Sequence, residues 1–335
     1  MLMGFGVVAI LGFGALGVDI SYIAMANTQA SAVSDAASHA ALLTYRQSSG
    51  SESERQGNGR RAADWIVDNN DVGFDGPGQL DALEFGVFNS LLGTFLPGVS
   101  PANAARVEVS RRGGNGLELM LAPIIGIHQA DVVQSGVTVA NPREIMVVVD
   151  KSCSMNWGYP LSGKVGTDRA LETFSSYMVD HQVPKDRMGA TWFNSRGGWY
   201  DSLKYVDGNE GSILSKWSRW DRQRMSGATN QAAGIVPAHI ALSTSGNDLA
   251  FKAIIVISDG NPNPSRLSST FLSSTTAAWD DGIHVWTVAF GSSINDRLMR
   301  DATKGLGTYE KTPDSRGLSA VMLKIAESIP VAVVQ

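Results

Sequence analysis

The chain has 335 residues, which suits two domains or one large domain with an appendage, and 43% of them are hydrophobic, ordinary for a packed core. Its 27 basic and 32 acidic residues give a formal net charge of −5, which argues against a nucleic-acid partner. A single cysteine, Cys153, excludes an intrachain disulfide and a zinc finger of the Cys₄ or Cys₂His₂ type.

Met1 to Val18 (MLMGFGVVAILGFGALGV) carries no charge, and Ile20, Tyr22, Ile23, Ala24 and Met25 prolong the apolar stretch past Asp19 and Ser21. About 20 apolar residues span a bilayer as a helix. The pattern therefore predicts a transmembrane or pilin-like N-terminal helix over residues 1–47. A buried core helix and a secretory signal peptide are the alternatives; the long run and the lack of a basic n-region speak against the second. No basic residue precedes the run, so it carries no positive-inside signal. Residues 19–47 continue without Pro or Gly. Ala24, Ala32, Ala36, Ala40 and Leu43 fall on one small-residue face, suited to a neighbouring helix or to the chain's own domain.

Residues 48–59 (SSGSESERQGNG) read as an exposed loop, followed by a short helix, RAADWIVDNN. Three strand-like segments come next: ALEFGVFN, AARVEVSRR and LELMLAPIIG, with Gly113-Gly114-Asn115-Gly116 as a hairpin signal. Residues 48–143 thus read as a small α+β domain. His128, alone among apolar neighbours, reads as structural.

After Pro142 strands and helices alternate over residues 144–335. EIMVVVD and FKAIIVISD are continuous apolar strands of the kind buried on both faces. Between them lie a helix, GTDRALETFSSYMVDHQ, strands DRMGATWFNS and WYDSLKYV, and helices SILSKWSRW and NQAAGIVPAHIALSTS. Helix FLSSTTAAWDDG, strand IHVWTVAFG and helices NDRLMRDATKG and SAVMLKIAESI follow. The expectation is an α/β fold with a doubly wound, mostly parallel sheet. Trp192 and Trp217 read as core, whereas Trp199-Tyr200, beside Gly197-Gly198, read equally well as exposed.

In such sheets a ligand sits beyond the carboxyl ends of the strands. There the two apolar strands end in aspartate: Asp150-Lys151-Ser152-Cys153-Ser154, and Ile257-Ser258-Asp259-Gly260. Ser226-Gly227-Ala228-Thr229-Asn230 forms a loop before a helix. Asp150, Ser152, Ser154, Thr229 and Asp259 together supply two carboxylates and three hydroxyls. These are hard oxygen donors of the kind Mg²⁺ selects, with Mn²⁺ or Ca²⁺ as alternatives. Two carboxylates leave the ion electron-poor, ready for a carboxylate from outside.

This constellation resembles the metal-ion-dependent adhesion site (MIDAS) of von Willebrand factor A domains, over about residues 144–329. By that resemblance Ser152 and Ser154 ligate directly, and Thr229 and Asp259 bind directly or through water. Where the family usually carries glycine, this chain has Cys153, which reads as structural because a thiolate suits softer metals. The N-terminal segment, Val18-Asp19 followed by Gln29-Ala30-Ser31-Ala32-Val33-Ser34-Asp35-Ala36-Ala37, looks like the start of TadE/TadG-like (Flp/Tad) pilus-assembly proteins. The resemblances imply a membrane- or pilus-associated adhesion protein in the cell envelope. Its partners would be a surface ligand supplying Asp or Glu, pilus or envelope assembly proteins, and the membrane. The alternative is a minor pilin-like structural component whose metal site stabilises subunit contacts. An enzyme is not expected. The five histidines are scattered, and no phosphate-binding loop or base beside a metal-bound water is visible.

Overall fold

A computed structural model describes residues 2–48, 50–74, 76–89, 94–157, 161–247, 250–291, 294–303, 307–329 and 333–334, with the backbone alone for 2–15 and 333–334. The chain forms two compact units, one of Met1–Ala140 with Ala332–Gln335, the other of Asn141–Val331.

The first unit opens with a long helix, α1 (Leu2–Gln47), and a second, α2 (Glu52–Asp68). Its strands are β1 (Gln79–Asn89), β2 (Thr94–Pro97), β3 (Ala104–Arg111), β4 (Leu117–Glu118), β5 (Gln129–Ala130), β6 (Val132–Ala140) and, from the chain end, β13 (Val333–Val334). Five of them make an antiparallel sheet in the order β13-β6-β3-β1-β2. α1 packs on this sheet and on α2. Its buried residues, Tyr22, Ala26, Ala30, Val33, Ala37, Ala41 and Tyr45, recur every three or four positions. The small-residue face is not the one that packs on the chain's own domain, since Ala24, Ala32 and Ala36 are exposed. Spacing alone finds several alanine stripes on one helix, and the one beside Tyr22, Val33 and Tyr45 buries more apolar area. The apolar stretch expected to cross a membrane, Met1–Val18, lies mostly where side chains fall outside the described residues. Among those described, no helix is long and apolar enough to cross a membrane.

Three local expectations change. The polar segment 48–59 is not all loop, because α2 begins at Glu52. Ser51 and Glu54 form a capping box, in which Glu54 Oε2 accepts from Ser51 N at 2.7 Å and Ser51 Oγ from Glu54 N at 3.4 Å. Gly59 marks where α2 crowds its neighbours. A Cβ there would lie 2.7 Å from Ala41 O and 2.6 Å from the Phe85 ring. Gly113–Asn115 forms a 3₁₀ turn rather than a hairpin between β3 and β4, and β4 pairs with β5 instead. The segment LELMLAPIIG is a strand only at Leu117–Glu118. Pro123 then sits inside a 3₁₀ turn, Ala122–Ile125.

The second unit contains β7 (Arg143–Asp150), α3 (Gly163–Asp180), β8 (Arg187–Phe193), β9 (Gly197–Tyr205), α4 (Glu210–Trp217), α5 (Gln231–Ser243), β10 (Phe251–Ser258), α6 (Leu267–Asp280), β11 (His284–Phe290), α7 (Asp296–Asp301), β12 (Tyr309–Thr312) and α8 (Leu318–Ser328). The sheet order is β12-β11-β10-β7-β8-β9, parallel throughout except for the edge hairpin β8–β9. Alternate residues of β7 feed two cores. Ile145, Val147 and Val149 pack with Phe174, Trp217 and Met322, from α3, α4 and α8. Met146 and Val148 pack with Ile235, Leu242 and Phe271, from α5 and α6. The unit is therefore α/β and doubly wound. β7 and β10 are central and adjacent, so their carboxyl ends open side by side at one edge.

Trp217 is fully buried, as expected, and donates to Asp201 Oδ2 at 3.1 Å. Trp192 is only half-buried, under the Lys151 ammonium. Trp199 is exposed, whereas Tyr200 packs edge-on against the buried Trp220.

Candidate metal centre

β7 runs fully buried to its last residue, Asp150. The chain turns out of the sheet at Lys151, whose N–H donates to Phe193 O at 2.7 Å, and Ser152 then starts a 3₁₀ turn over Cys153–Asn156. That turn folds two alternate hydroxyls together: Ser152 Oγ and Ser154 Oγ are 2.9 Å apart. The Ser152 amide donates to Asp150 Oδ1 at 2.8 Å, so the first aspartate organises the loop that carries the serines. β10 delivers Asp259 to the same point, where its Oδ1 accepts the Ser154 hydroxyl at 2.7 Å.

The Thr229 loop is stitched to both strand exits. Ser226 N donates to Lys151 O at 2.9 Å, Cys153 N to Gly227 O at 3.1 Å, and Asn263 N to Thr229 O at 2.8 Å. Gly227 takes φ +83°, a left-handed conformation that favours glycine. Thr229 Oγ1 and Ser154 Oγ flank the space above Gly260, 3.8 and 3.9 Å from where a Cβ on that glycine would sit. All five residues singled out from the sequence thus meet at one place, from three loops. Cys153 is exposed.

One residue of the cluster escapes the motif. The buried Ser258 hydroxyl donates to Asp150 Oδ2 at 2.6 Å. Its only signal in the sequence is a hydroxyl closing an otherwise apolar strand. With it, both oxygens of Asp150 are hydrogen-bonded.

The electrostatics leave a charge to be supplied. Burial raises the carboxyl of Asp150 to about 7, with the Asp259 charge as the second cause. Burial likewise raises Asp259. Neither carboxylate is hydrogen-bonded or ion-paired to a basic side chain among the described residues. A buried acid and a half-buried one, with hydroxyls between them, fit a small divalent cation, since its charge would oppose both upward shifts. Among the described residues no group of three or more His, Cys, Asp and Glu side chains could hold a metal. The donors here are hydroxyls and two carboxylates, a set for a hard ion.

The loops that carry the site are rich in arginine. Arg196, Arg219, Arg222, Arg224 and Arg266 lie on the loops that carry or adjoin the site, are exposed, and form no ion pair among the described residues. Asp221 is the one acid beside Asp259 in residues 151–162, 194–196, 218–230 and 259–266.

Residues 1–47 match the family model of putative Flp pilus-assembly TadE/G-like proteins. No curated protein matches the chain. Solved structures with a similar fold include a von Willebrand factor type A protein from Catenulispora acidiphila, at 12% identity and a TM-score of 0.48, covering 75% of this chain and 49% of that one. A mutant of the PilB minor pilin from Streptococcus sanguinis is similar at 14% identity and a TM-score of 0.47, covering 77% and 80%. Proximal thread matrix protein 1 from the mussel byssus, with a zinc-occupied MIDAS motif, is similar at 17% identity and a TM-score of 0.44, covering 56% and 46%. This chain spans about half the length of the first and the last of these. The chain is thus similar to TadE/G-like proteins over residues 1–47 and, in the comparison of whole structures, to proteins that include a von Willebrand factor type A protein.

Proposed function

We propose that this is a pilus- or envelope-associated binding protein whose second unit grips an acidic group on a partner through one divalent metal ion, Mg²⁺ in the first instance. The observation that carries the reading is the meeting of Ser152, Ser154 and Thr229 around the buried Asp150 and half-buried Asp259 carboxylates, which no basic side chain neutralises among the described residues. Ser152, Ser154 and Thr229 would offer hydroxyl oxygens, and Asp150 and Asp259 the negative charge. The ion supplies a hard positive centre with room for an outside oxygen. The Arg196, Arg222 and Arg224 rim favours a carboxylate-bearing partner, since a guanidinium fork pairs with carboxylate at two points. Anchorage through the N-terminal helix, in a membrane or in a filament, completes the proposal, with residues 1–47 as the anchor, 48–143 as a small supporting domain and 144–335 as the binding domain.

The match of residues 1–47 to pilus-assembly proteins favours a second role in assembly. The two roles separate cleanly. Reversing charges at Arg222 and Arg224 should leave assembled pili that fail to adhere if binding is the function.

Calorimetric titration of the full chain in detergent tests the metal. The expected result is one Mg²⁺ bound per chain, and none by a folded Asp150→Ala variant. A wild type that binds neither Mg²⁺ nor Mn²⁺ would remove the adhesion reading.

A further inference from the structure

The first unit leaves an apolar surface uncovered. Leu119 to Ala130 (LMLAPIIGIHQA) contains no Asp, Glu, Lys or Arg. Within it Met120, Ile124, Ile125 and Ile127 are 54%, 81%, 63% and 51% exposed. Single exposed apolar residues are ordinary on any protein, but four large ones within eight positions form a patch that marks an interaction site.

The loop is held in a definite place. The amides of Met120, Leu121 and Ala122 donate to the Asp19 carboxylate at 2.9, 3.0 and 2.5 Å. Asp19 is itself buried, and the Ala122–Ile125 turn lies against α1. Asp19 is also the first charged residue of the chain. The loop is therefore pinned to α1 at the level where the uncharged stretch Met1–Val18 ends. On the helix at that level, Leu16, Val18 and Ile20 are exposed as well. Two exposed apolar sets, one on the helix and one on the loop, thus adjoin a single boundary.

We propose that the 119–130 loop is a second membrane contact, with Ile124, Ile125 and Ile127 entering the lipid interface beside α1 where that helix leaves the bilayer. The inference rests on the reading that Met1–Val18 sits in a membrane. Two features favour lipid over a protein partner. The patch is continuous with a helix start that lacks any charge. It is also purely aliphatic, Ile, Leu, Val and Met, without the Trp, Tyr and Arg that dominate protein hot spots. Aliphatic side chains at this depth bury their surface in the headgroup–acyl boundary. A helix with a shallow contact beside it has its tilt and rotation fixed at the surface, which a lone helix does not.

The test uses the full chain in phosphatidylethanolamine–phosphatidylglycerol vesicles, in a Cys153→Ser background. Single cysteines replace Ile125 on the loop, Ile10 on the helix and Asp68 at the exposed end of α2, each carrying an environment-sensitive fluorophore. Ile124→Cys serves as a second loop position should Ile125→Cys fold poorly. The expected result is blue-shifted emission at 10 and 125, both quenched by spin-labelled lipid, the loop most strongly by a shallow label. Position 68 should be quenched by aqueous iodide only. Lipid quenching at 10 with iodide quenching at 125 overturns the loop contact and leaves the membrane helix standing. Iodide quenching at both overturns the membrane reading and the inference with it. A blue-shifted loop label that no lipid quenches means that protein covers the patch, and also overturns the proposal.

Discussion

At the scale of single residues, the site is a balance between burial and charge. Asp150 is held by Ser152 N and Ser258 Oγ, yet burial and Asp259 still raise its carboxyl to about 7. A carboxyl raised in the folded state binds protons more tightly there than in the unfolded chain, whose value stays near 4. Its contribution to stability is complete below about pH 4 and is lost as pH rises through about 7. In EDTA, the melting temperature of the second unit should therefore fall by several degrees between pH 5 and pH 8. Asp150→Asn should flatten that fall and abolish any stabilisation by Mg²⁺. Saturating Mg²⁺ should stabilise the wild type most at pH 8, where the ion displaces no proton. A hundredfold excess over Kd adds about 2.7 kcal/mol. Scanning calorimetry at several pH values reads all of this, and a melting temperature that rises with pH in EDTA would contradict it. Five of the six residues are visible in the sequence because donor chemistry and position coincide: an acid ends each apolar strand, with hydroxyls spaced to face it. Ser258 is not visible, since a serine at a strand end most often does nothing more than cap the strand.

At the scale of elements, the second unit was the more legible. β7, β10 and β11 are runs of mostly apolar residues, and burial on both faces leaves such runs no other place to go, whereas the polar edge strand β12, YEKT, was not legible as a strand. The first unit was less so, and the errors share a cause. In 48–59 the composition is that of a loop, but the Ser51–Glu54 capping box starts a helix that composition cannot see. In 117–126 the alternation suggests a strand, but Pro123 and the Asp19 carboxylate, more than a hundred positions away in sequence, convert it to a turn. Long-range hydrogen bonds override local pattern. α2 supplies a test. Replacing Gly59 with Ala should raise intrinsic helix propensity by about 1 kcal/mol. The added methyl, however, meets the Ala41 carbonyl and the Phe85 ring well inside contact distance. Gly59→Ala should therefore destabilise the first unit by roughly 1–3 kcal/mol in denaturant unfolding, as overpacking does. Gly57→Ala, which meets nothing within 4 Å, should stabilise it or leave it unchanged.

At the scale of the whole molecule, charge is divided unevenly. Residues 1–140 hold 7 basic and 13 acidic side chains, and residues 141–331 hold 20 and 19. The net acidity of the chain therefore belongs to the first unit, and the arginine-rich loops of the second belong to a nearly neutral body. Composition averaged over the chain hides that concentration of arginine, which is why it could not be read before the loops were placed. The connection between the units is also hidden from sequence order. β13 pairs antiparallel with β6, with Val333 opposite Ala140 and Val334 opposite Val139. Joining Ala140 to Val333 through an Asn-Gly turn should therefore give a β-hairpin and a folded first unit lacking residues 141–332. Circular dichroism and a cooperative unfolding transition would show it, and an unfolded product would mean that the first unit depends on the second.

That pairing makes the second unit an insertion with its entrance and exit side by side. A gene that exchanged the stretch between Ala140 and Val333 would replace the second unit without altering the first, so that, on the proposed function, descendants of one anchor could acquire new ligands by swapping a single cassette.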